Sequence, residues 1–353
     1  MKSAAKPAAA MWAMPASSDP HGSGAPDTRR RQVQNAIRAL SLTRTVRFDH
    51  SLEAYTTYRI GGPAWAVAEP VNARELQRLL SVARETATPT LVLGAGSNVL
   101  VRDGGFPGLA IRLAGAFDTI ADVTMHKGGP GRGLLMIGAA VPIARVVRKA
   151  VERGYLSLLR LVGIPGTMGG VVAMNAGTGA TSAARGAVVD GYVGDLVVSV
   201  GVVDADGAWD VPHAECGFRY RGTALPPLSV VADAFVDVGA ERATAEEAQE
   251  LVREKLARRR ATQPVTLPNA GSVFKNPPGD HAARLVEAAG LKGARIGGAE
   301  VSAMHGNFIV NYAREARASD VLALIELCRR SVRQQFGIDL ETEVRIVGVD
   351  DDY

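Results

Sequence analysis

Two glycine-rich runs constrain this chain more than any other feature. The first is Gly94-Ala95-Gly96-Ser97-Asn98, set between apolar, strand-like segments; the second is Gly163-Ile164-Pro165-Gly166-Thr167-Met168-Gly169-Gly170, close behind a helical pattern. Consecutive small residues let backbone N–H groups approach and point at an anion, and Ser97, Asn98 and Thr167 add side-chain donors. That chemistry suits a pyrophosphate. Either loop alone reads most simply as a tight turn between strands, but two long ones in one β-rich region favour a phosphorylated cofactor or nucleotide. Neither run completes GxGxxG, because the third glycine is missing after Gly96, and neither is followed by Gly-Lys-Ser/Thr, so a Rossmann domain or P-loop NTPase is disfavoured.

The flanking sequence supports an α+β chain. Residues 45–70 read as extended, and the first clear helix starts at Asn72, where Asn72 and Glu75 predict a capping box and Leu76, Leu79, Leu80 and Ala83 share one face. A buried strand, the first glycine turn and a second strand follow, a βαβ beginning. Over residues 119–139 two short strands flank the hairpin-like "KGGPGRG". Pro142 then opens a helix with Ile143, Val146, Val147, Ala150 and Val151 on its apolar face and Gly154 as its stop. Further strands extend to about residue 239. Thr244 and Glu247 predict a second capping box, residues 282–289 a short helix, "NFIVNYA" a strand, and Ser319 the start of a helix in which Val321, Leu324, Ile325, Cys328 and Val332 share a face. "IDLETEVRIVG" closes the chain as an alternating strand.

With 353 residues and 47% apolar content, the chain has material for more than one core. No apolar run approaches the ~20 residues of a membrane span. Cys216 and Cys328, the only cysteines, have no CxxC partner and no histidine at ligand spacing, which argues against a disulfide scaffold or zinc site and for a reducing cytoplasm. The formal charge of +4 is spread over several segments with little aromatic interleaving, so neither a nucleic acid nor a membrane is the expected partner. Residues 1–44 are rich in Ala, Pro, Ser and Gly and read as a disordered extension. Lys2 and Lys6 precede "AAAMWAM" as in a secretion signal, but Pro7 and Pro15 bracket a very short apolar stretch.

"NAGSVFKNP", residues 269–277, is neither helix nor plain turn, and by itself Ser272 is one more turn hydroxyl. Its neighbours give it a role. "TTYRIGGPA", "LVLGAGSNVLVRDGGFPGLAI", "GIPGTMGGVVAMNAG", "YRGT", "NAGSVFKNP", "RIGGAEVS" and "EVRIVG" stand in the order that resembles the UDP-N-acetylenolpyruvoylglucosamine reductase family, flavoenzymes of peptidoglycan precursor synthesis. The resemblance covers residues 45–348, and the short link between "FKNPPG" and "GLKGARIGG" resembles the family's type II members.

That resemblance implies an FAD-binding domain of the vanillyl-alcohol-oxidase type in two subdomains, 45–115 and 116–239, and a C-terminal α+β substrate domain, 240–353. It implies a monomeric, FAD-dependent oxidoreductase that uses NADPH to reduce the enolpyruvyl ether of a UDP-sugar. Tyr58, Arg59, Ile60 and Gly61, then Gly94, Ala95, Gly96, Ser97 and Asn98, then Pro165, Gly166, Thr167, Gly169 and Gly170, and finally Asn175, Ala176 and Gly177 would hold FAD. Ser272 would donate the proton, while Arg221 and Glu343 would polarise the substrate carboxylate. Tyr220, Lys275, Asn276 and Arg345 would contact substrate, with Lys275 and Arg221 as sources of positive charge for the serine. Gly222 and Thr223 depart from the residues that commonly follow the family's Tyr-Arg pair. A flavin oxidase of the same cofactor fold and a non-catalytic nucleotide-binding protein are the alternatives; the first would react readily with oxygen, the second would bind nucleic acid through its tail.

Overall fold

The computed structural model describes residues 26–123, 133–178 and 191–351. Its first region comprises α1 (Pro26–Arg38), β1 (Arg47–Ser51), β2 (Pro63–Ala68), α2 (Ala73–Glu85), β3 (Thr90–Val92), β4 (Val99–Val101) and β5 (Phe106–Ile111). Strands β2, β5 and β3 run parallel, β1 adds antiparallel to β2, and β4 stands outside this sheet. Leu76, Leu79, Leu80 and Ala83 of α2 pack with Ala66, Leu109 and Ile111, as the helical period predicts.

Two expectations for this region are corrected. Residues 26–38 are helical, and Val33 and Ile37 are buried against α2 and the first sheet, so the extension is not structureless as far as residue 44. Val33, Ala36, Ile37 and Leu40 hold helical spacing within an arginine-rich stretch whose composition hides it. Residues 1–25 lie outside the described residues, and so does the tip of the predicted "KGGPGRG" hairpin. The second correction concerns Glu75. Asn72 caps α2 by accepting from Glu75 N at 2.9 Å, but the Glu75 carboxylate accepts from Val71 N and Thr43 N instead of closing the box, tying the chain after α1 to α2.

The middle region comprises β6 (Ile120–Val123), β7 (Leu134–Gly138), α3 (Ile143–Arg153), α4 (Met168–Ala173), β8 (Gly177–Thr178), β9 (Gly191–Tyr192), β10 (Val197–Val203), β11 (Ala208–Pro212), α5 (His213–Cys216) and β12 (Val230–Asp237). Its antiparallel sheet has the order β11-β10-β12-β7-β6. Pro142 precedes α3 and Gly154 ends it in the left-handed region, φ 68°, as predicted.

The last region comprises α6 (Ala245–Thr262), α7 (Ala282–Ala288), β13 (Arg295–Ile296), β14 (Ala299–Val301), β15 (Ile309–Asn311), α8 (Ala318–Phe336) and β16 (Arg345–Val347). Thr244 and Glu247 make the reciprocal capping box. The domain cut at residue 240 places α6 with the C-terminal region, yet Ala248 and Leu251 are buried in the core of the middle region, so the packing boundary falls after α6. Cys328 is a core residue of α8, and burial pushes its thiol up to about 12.

The closing segment is not one long strand. Residues 341–344 lie against 273–275, with Lys275 N donating to Glu341 O and Glu343 N donating to Val273 O; residues 345–347 then pair in parallel with β4. One short stretch thus belongs to the C-terminal region at its start and the first region at its end, and that seam positions the site.

Candidate active site

The two glycine loops are pressed together. Ser97 Oγ donates to Pro165 O at 3.0 Å, and a Cβ at Gly94 would lie 2.4 Å from Thr167 Oγ1. Gly96 has φ 62°, and a Cβ there would lie 2.1 Å from Tyr55 O, so only glycine fits. Thr57 ties the first loop to the serine segment: its N donates to Gly96 O at 3.2 Å and its hydroxyl to Asn269 O at 2.6 Å.

Beside these loops opens a cavity of about 1660 Å³. Small-molecule pockets span about 300–1,000 Å³, so the volume suits a dinucleotide together with a second ligand. Gly170 and Gly271 line it, and a Cβ at Gly170 would meet only Thr167 Oγ1 at 4.0 Å, one at Gly271 only Ser97 O at 3.9 Å. The space beside these two glycines is filled by no protein atom, as a cofactor cradle requires. Loop residues 94–98, 165–167 and 169–170, with Ala176 and Gly177, line the same cavity and fit the pyrophosphate of FAD.

Arg221, Glu343, Ser272 and Arg345 line the same cavity. Arg221 sits at the tip of a turn closed by Arg219 N to Gly222 O and Gly222 N to Arg219 O, and takes φ 56°. Gly222 closes the turn, and Thr223 Oγ1 reaches Ala173 O at 3.4 Å, so the departure from the family pattern leaves the arginine placed. Arg221 Nε lies 2.6 Å from Glu343 Oε1, an ion pair with both side chains mostly buried. Burial pushes the Glu343 carboxyl above the ordinary carboxylate range, against the pull of Arg221 and Lys275. Burial lowers the Arg345 guanidinium to about 10; its Nη2 lies 3.4 Å from Met174 Sδ and its backbone N donates to Asn98 O.

Other expected residues lie elsewhere. Tyr58 and Ile60 are buried in the C-terminal core with Leu100, Val273 and Phe274, and burial raises the tyrosine hydroxyl far above the usual phenol range. Gly61 packs on Leu52 and Val101, while exposed Arg59 faces a neighbouring cavity of about 460 Å³ shared with Arg259 and Arg260. Asn175 is buried, with its Oδ1 accepting from Gly194 N at 2.9 Å and its Nδ2 donating to Arg219 O at 3.0 Å, so it pins the Arg221 turn. Tyr220 is exposed, edge-on to Tyr192 and 5.3 Å from the Arg221 guanidinium. Lys275 pairs with Glu341, and Asn276 Oδ1 accepts from Ala282 N at the start of α7. Arg112 and Arg259 line the cavity without having been expected there, since single arginines in apolar or charged runs carry no distinguishing pattern.

Residues 64–210 match the family described as an FAD binding domain. Two glycine loops facing one cavity and this match define the class: an FAD-dependent oxidoreductase with an α+β cofactor domain and a further C-terminal domain. Residues 263–347 match the UDP-N-acetylenolpyruvoylglucosamine reductase C-terminal domain. The UDP-N-acetylenolpyruvoylglucosamine reductase of Anaeromyxobacter dehalogenans is 43% identical over 315 residues, 87% of this chain and 88% of that one. The Myxococcus xanthus reductase is 40% identical over 304 residues, 86% and 92% of the two chains. The crystal structure of the Thermus caldophilus reductase superposes with a TM-score of 0.69 at 36% identity, covering 86% of this chain and all of that one, 100%. The chain belongs to the UDP-N-acetylenolpyruvoylglucosamine reductase family.

Proposed function

We propose that this chain reduces UDP-N-acetylglucosamine enolpyruvate to UDP-N-acetylmuramate, a step of peptidoglycan precursor synthesis, with Ser272 as proton donor and Arg221 and Glu343 as the groups that hold the substrate carboxylate. FAD, held by the two glycine loops, would supply the hydride for the methylene carbon of the enolpyruvyl ether, with NADPH as the reductant. The carbon bearing the carboxylate then gains negative charge and must take a proton. Hydride and proton together saturate the double bond.

The observation that carries this reading is the meeting of Arg221 and Glu343, from distant parts of the chain, in the cavity wall that Ser272 also lines. Burial raises the Glu343 carboxyl above its ordinary value, and a substrate carboxylate placed against it would raise it further. Protonated Glu343 donates to the substrate carboxylate, and the Arg221 guanidinium stabilises the negative charge that develops there. Ser272 is a weak acid, so its transfer depends on the cations of this wall. Lys275, paired with Glu341, acts on Glu343 through its charge at a distance. Arg345 adds a second guanidinium for the substrate. The reading includes a monomer in the cytoplasm, acting on small molecules without a nucleic-acid or membrane partner; no helix in the described residues is long and apolar enough to cross a membrane.

Anaerobic half-reactions test the serine. Ser272→Ala should let NADPH bleach the flavin at close to the normal rate and slow recovery on adding the enolpyruvyl sugar nucleotide by about 10²–10⁴-fold. Recovery at the wild-type rate would remove Ser272 from the mechanism.

A further inference from the structure

The side chain that holds Ser272 in place lies behind the cavity wall. Asn307, two residues before β15, is only 4% exposed. Its Oδ1 accepts from Phe274 N at 2.8 Å, its Nδ2 donates to Phe274 O at 2.8 Å, and its main-chain carbonyl accepts from Val273 N at 2.9 Å. The amide imitates a neighbouring strand for the two residues that follow the serine. Its own N donates to His305 Nδ1 at 3.2 Å, which fixes the residue from behind.

The opposite edge of the same backbone is bound to the segment that carries Glu343: Glu343 N donates to Val273 O at 2.8 Å and Lys275 N to Glu341 O at 2.9 Å. On the upstream side Gly271 N donates to Asn269 Oδ1 at 2.9 Å, and Asn269 O takes the Thr57 hydroxyl. Ser272 therefore stands between an upstream clamp on Gly271 and a downstream clamp made by Asn307. Phe274 is 1% exposed, so without the amide both its N–H and its carbonyl would be buried without these partners. Backbone rearrangement to reach new partners would carry the serine with it.

We propose that Asn307 is a positioning residue for the proton transfer: its amide fixes the Phe274 backbone and thereby sets the Ser272 hydroxyl relative to Glu343. This rests on Ser272 as the donor. Asn307 touches no reacting atom in this scheme, so it acts on the substrate half-reaction through the serine.

The test compares Asn307→Ala, Asn307→Asp, Ser272→Ala and the Ser272→Ala/Asn307→Ala double variant, all loaded with FAD, in anaerobic stopped flow. Asn307→Ala should leave flavin reduction by NADPH within about twofold and slow reoxidation by the enolpyruvyl sugar nucleotide about 100-fold, the scale of a small misplacement of a reacting group. The double variant should be no slower than Ser272→Ala alone, because a misplaced serine and a missing one remove the same step. Equal losses in both half-reactions, or losses that multiply in the double variant, would make Asn307 a general prop of the fold and overturn the proposal.

Asn307→Asp keeps the volume and the acceptor to Phe274 N, so it decides the matter even if the alanine variant does not fold. Buried, its carboxyl is pushed toward the neutral form. Ionised, it opposes the Phe274 carbonyl; protonated, it supplies the missing donor. Reoxidation in N307D should therefore recover as pH falls, whereas a wild-type rate at every pH would refute the positioning role. The two ideas fail separately: wild-type reoxidation in Ser272→Ala sinks the donor assignment, while a slow Ser272→Ala beside wild-type Asn307 variants sinks only the positioning.

Discussion

The two arms that bring chemistry to the cavity are held by different means. The Ser272 arm is part of a woven seam: Asn307 binds one edge of its backbone, the 341–344 segment binds the other, and β16 continues from that segment into a parallel pairing with β4. The Arg221 arm is a short turn whose tip takes a left-handed φ of 56°; Asn175 grips its backbone through Arg219 O, and Arg221 Nη1 reaches Gly177 O at 3.3 Å. One arm is fixed before any ligand arrives. The other is completed by its charge pairing with Glu343. Proton delivery needs fixed geometry, while charge stabilisation tolerates more movement because Coulomb attraction falls off slowly with distance.

The largest effect expected on this contrast comes from Arg221→Met. It removes the guanidinium that faces the developing charge and leaves Glu343 buried without its cation. Substrate-driven reoxidation should fall by about 10²–10³, the loss seen when a positioned transition-state donor is removed. Stopped-flow reoxidation checks it, and a fall below tenfold would mean that Arg345 carries the carboxylate. Next is Asn175→Ala, which strips partners from Gly194 N and Arg219 O. Leaving such groups unmade costs about 1–3 kcal/mol, roughly five- to 150-fold if the whole loss reached the transition state. If the Arg221 arm is the softer one, the lower end should appear in steady-state kcat, with Asn307→Ala the more damaging of the two.

The residues of the proposed site were named from the sequence, and most of the scaffolding around them was not. Gly94, Gly96 and Gly166 stood out because close backbone approach leaves few alternatives to glycine, and Ser272, Arg221 and Glu343 stood out through the family resemblance. Asn175 and Asn307 owe their roles to contacts 19 to 44 and 33 residues away in the chain, which no local pattern encodes. Asn307 left one trace, a polar residue opening the apolar "NFIVN" run, where a buried amide must find partners. Tyr58 shows the same long-range influence. Its motif resembles a cofactor wall, but long-range packing draws the ring into the C-terminal core. Helix α1 was missed because arginines and the neighbouring Ala/Pro composition outweighed four apolar residues at helical spacing.

A moderate effect is expected at Glu343. Its carboxyl favours the protonated form more than an ordinary glutamate does, so the form that donates to the substrate is lost as pH rises. Reoxidation in the wild type should decline on the alkaline side, and Glu343→Gln, which keeps an N–H donor but cannot ionise, should lose about tenfold in rate while that decline disappears. Retention of the same alkaline limb in the glutamine variant would assign the limb to another group.

The smallest effect probes the seam itself. Asp103, in the first region after β4, caps α8 of the C-terminal region by accepting from Ala318 N at 2.7 Å and Ser319 N at 3.0 Å. Burial would raise its carboxyl, but the bonds from Ser319 and Ala318 and the nearby Arg317 charge outweigh it and hold the group below the usual aspartate value. Because the folded value is depressed, the stabilisation is fully present above the unfolded value, about 3.9, and is lost as pH falls through the folded value. Asp103→Ala should cost about 0.5–2 kcal/mol at neutral pH, the range for losing a helix cap. Asp103→Asn should cost less, since an amide oxygen can still accept from the helix N-terminus, and it should flatten the acid side of a denaturant-unfolding series. An alanine variant as stable as wild type at neutral pH would mean that the cap adds nothing to the β4–β16 pairing and the Thr57 tie that hold the serine arm to the glycine loops.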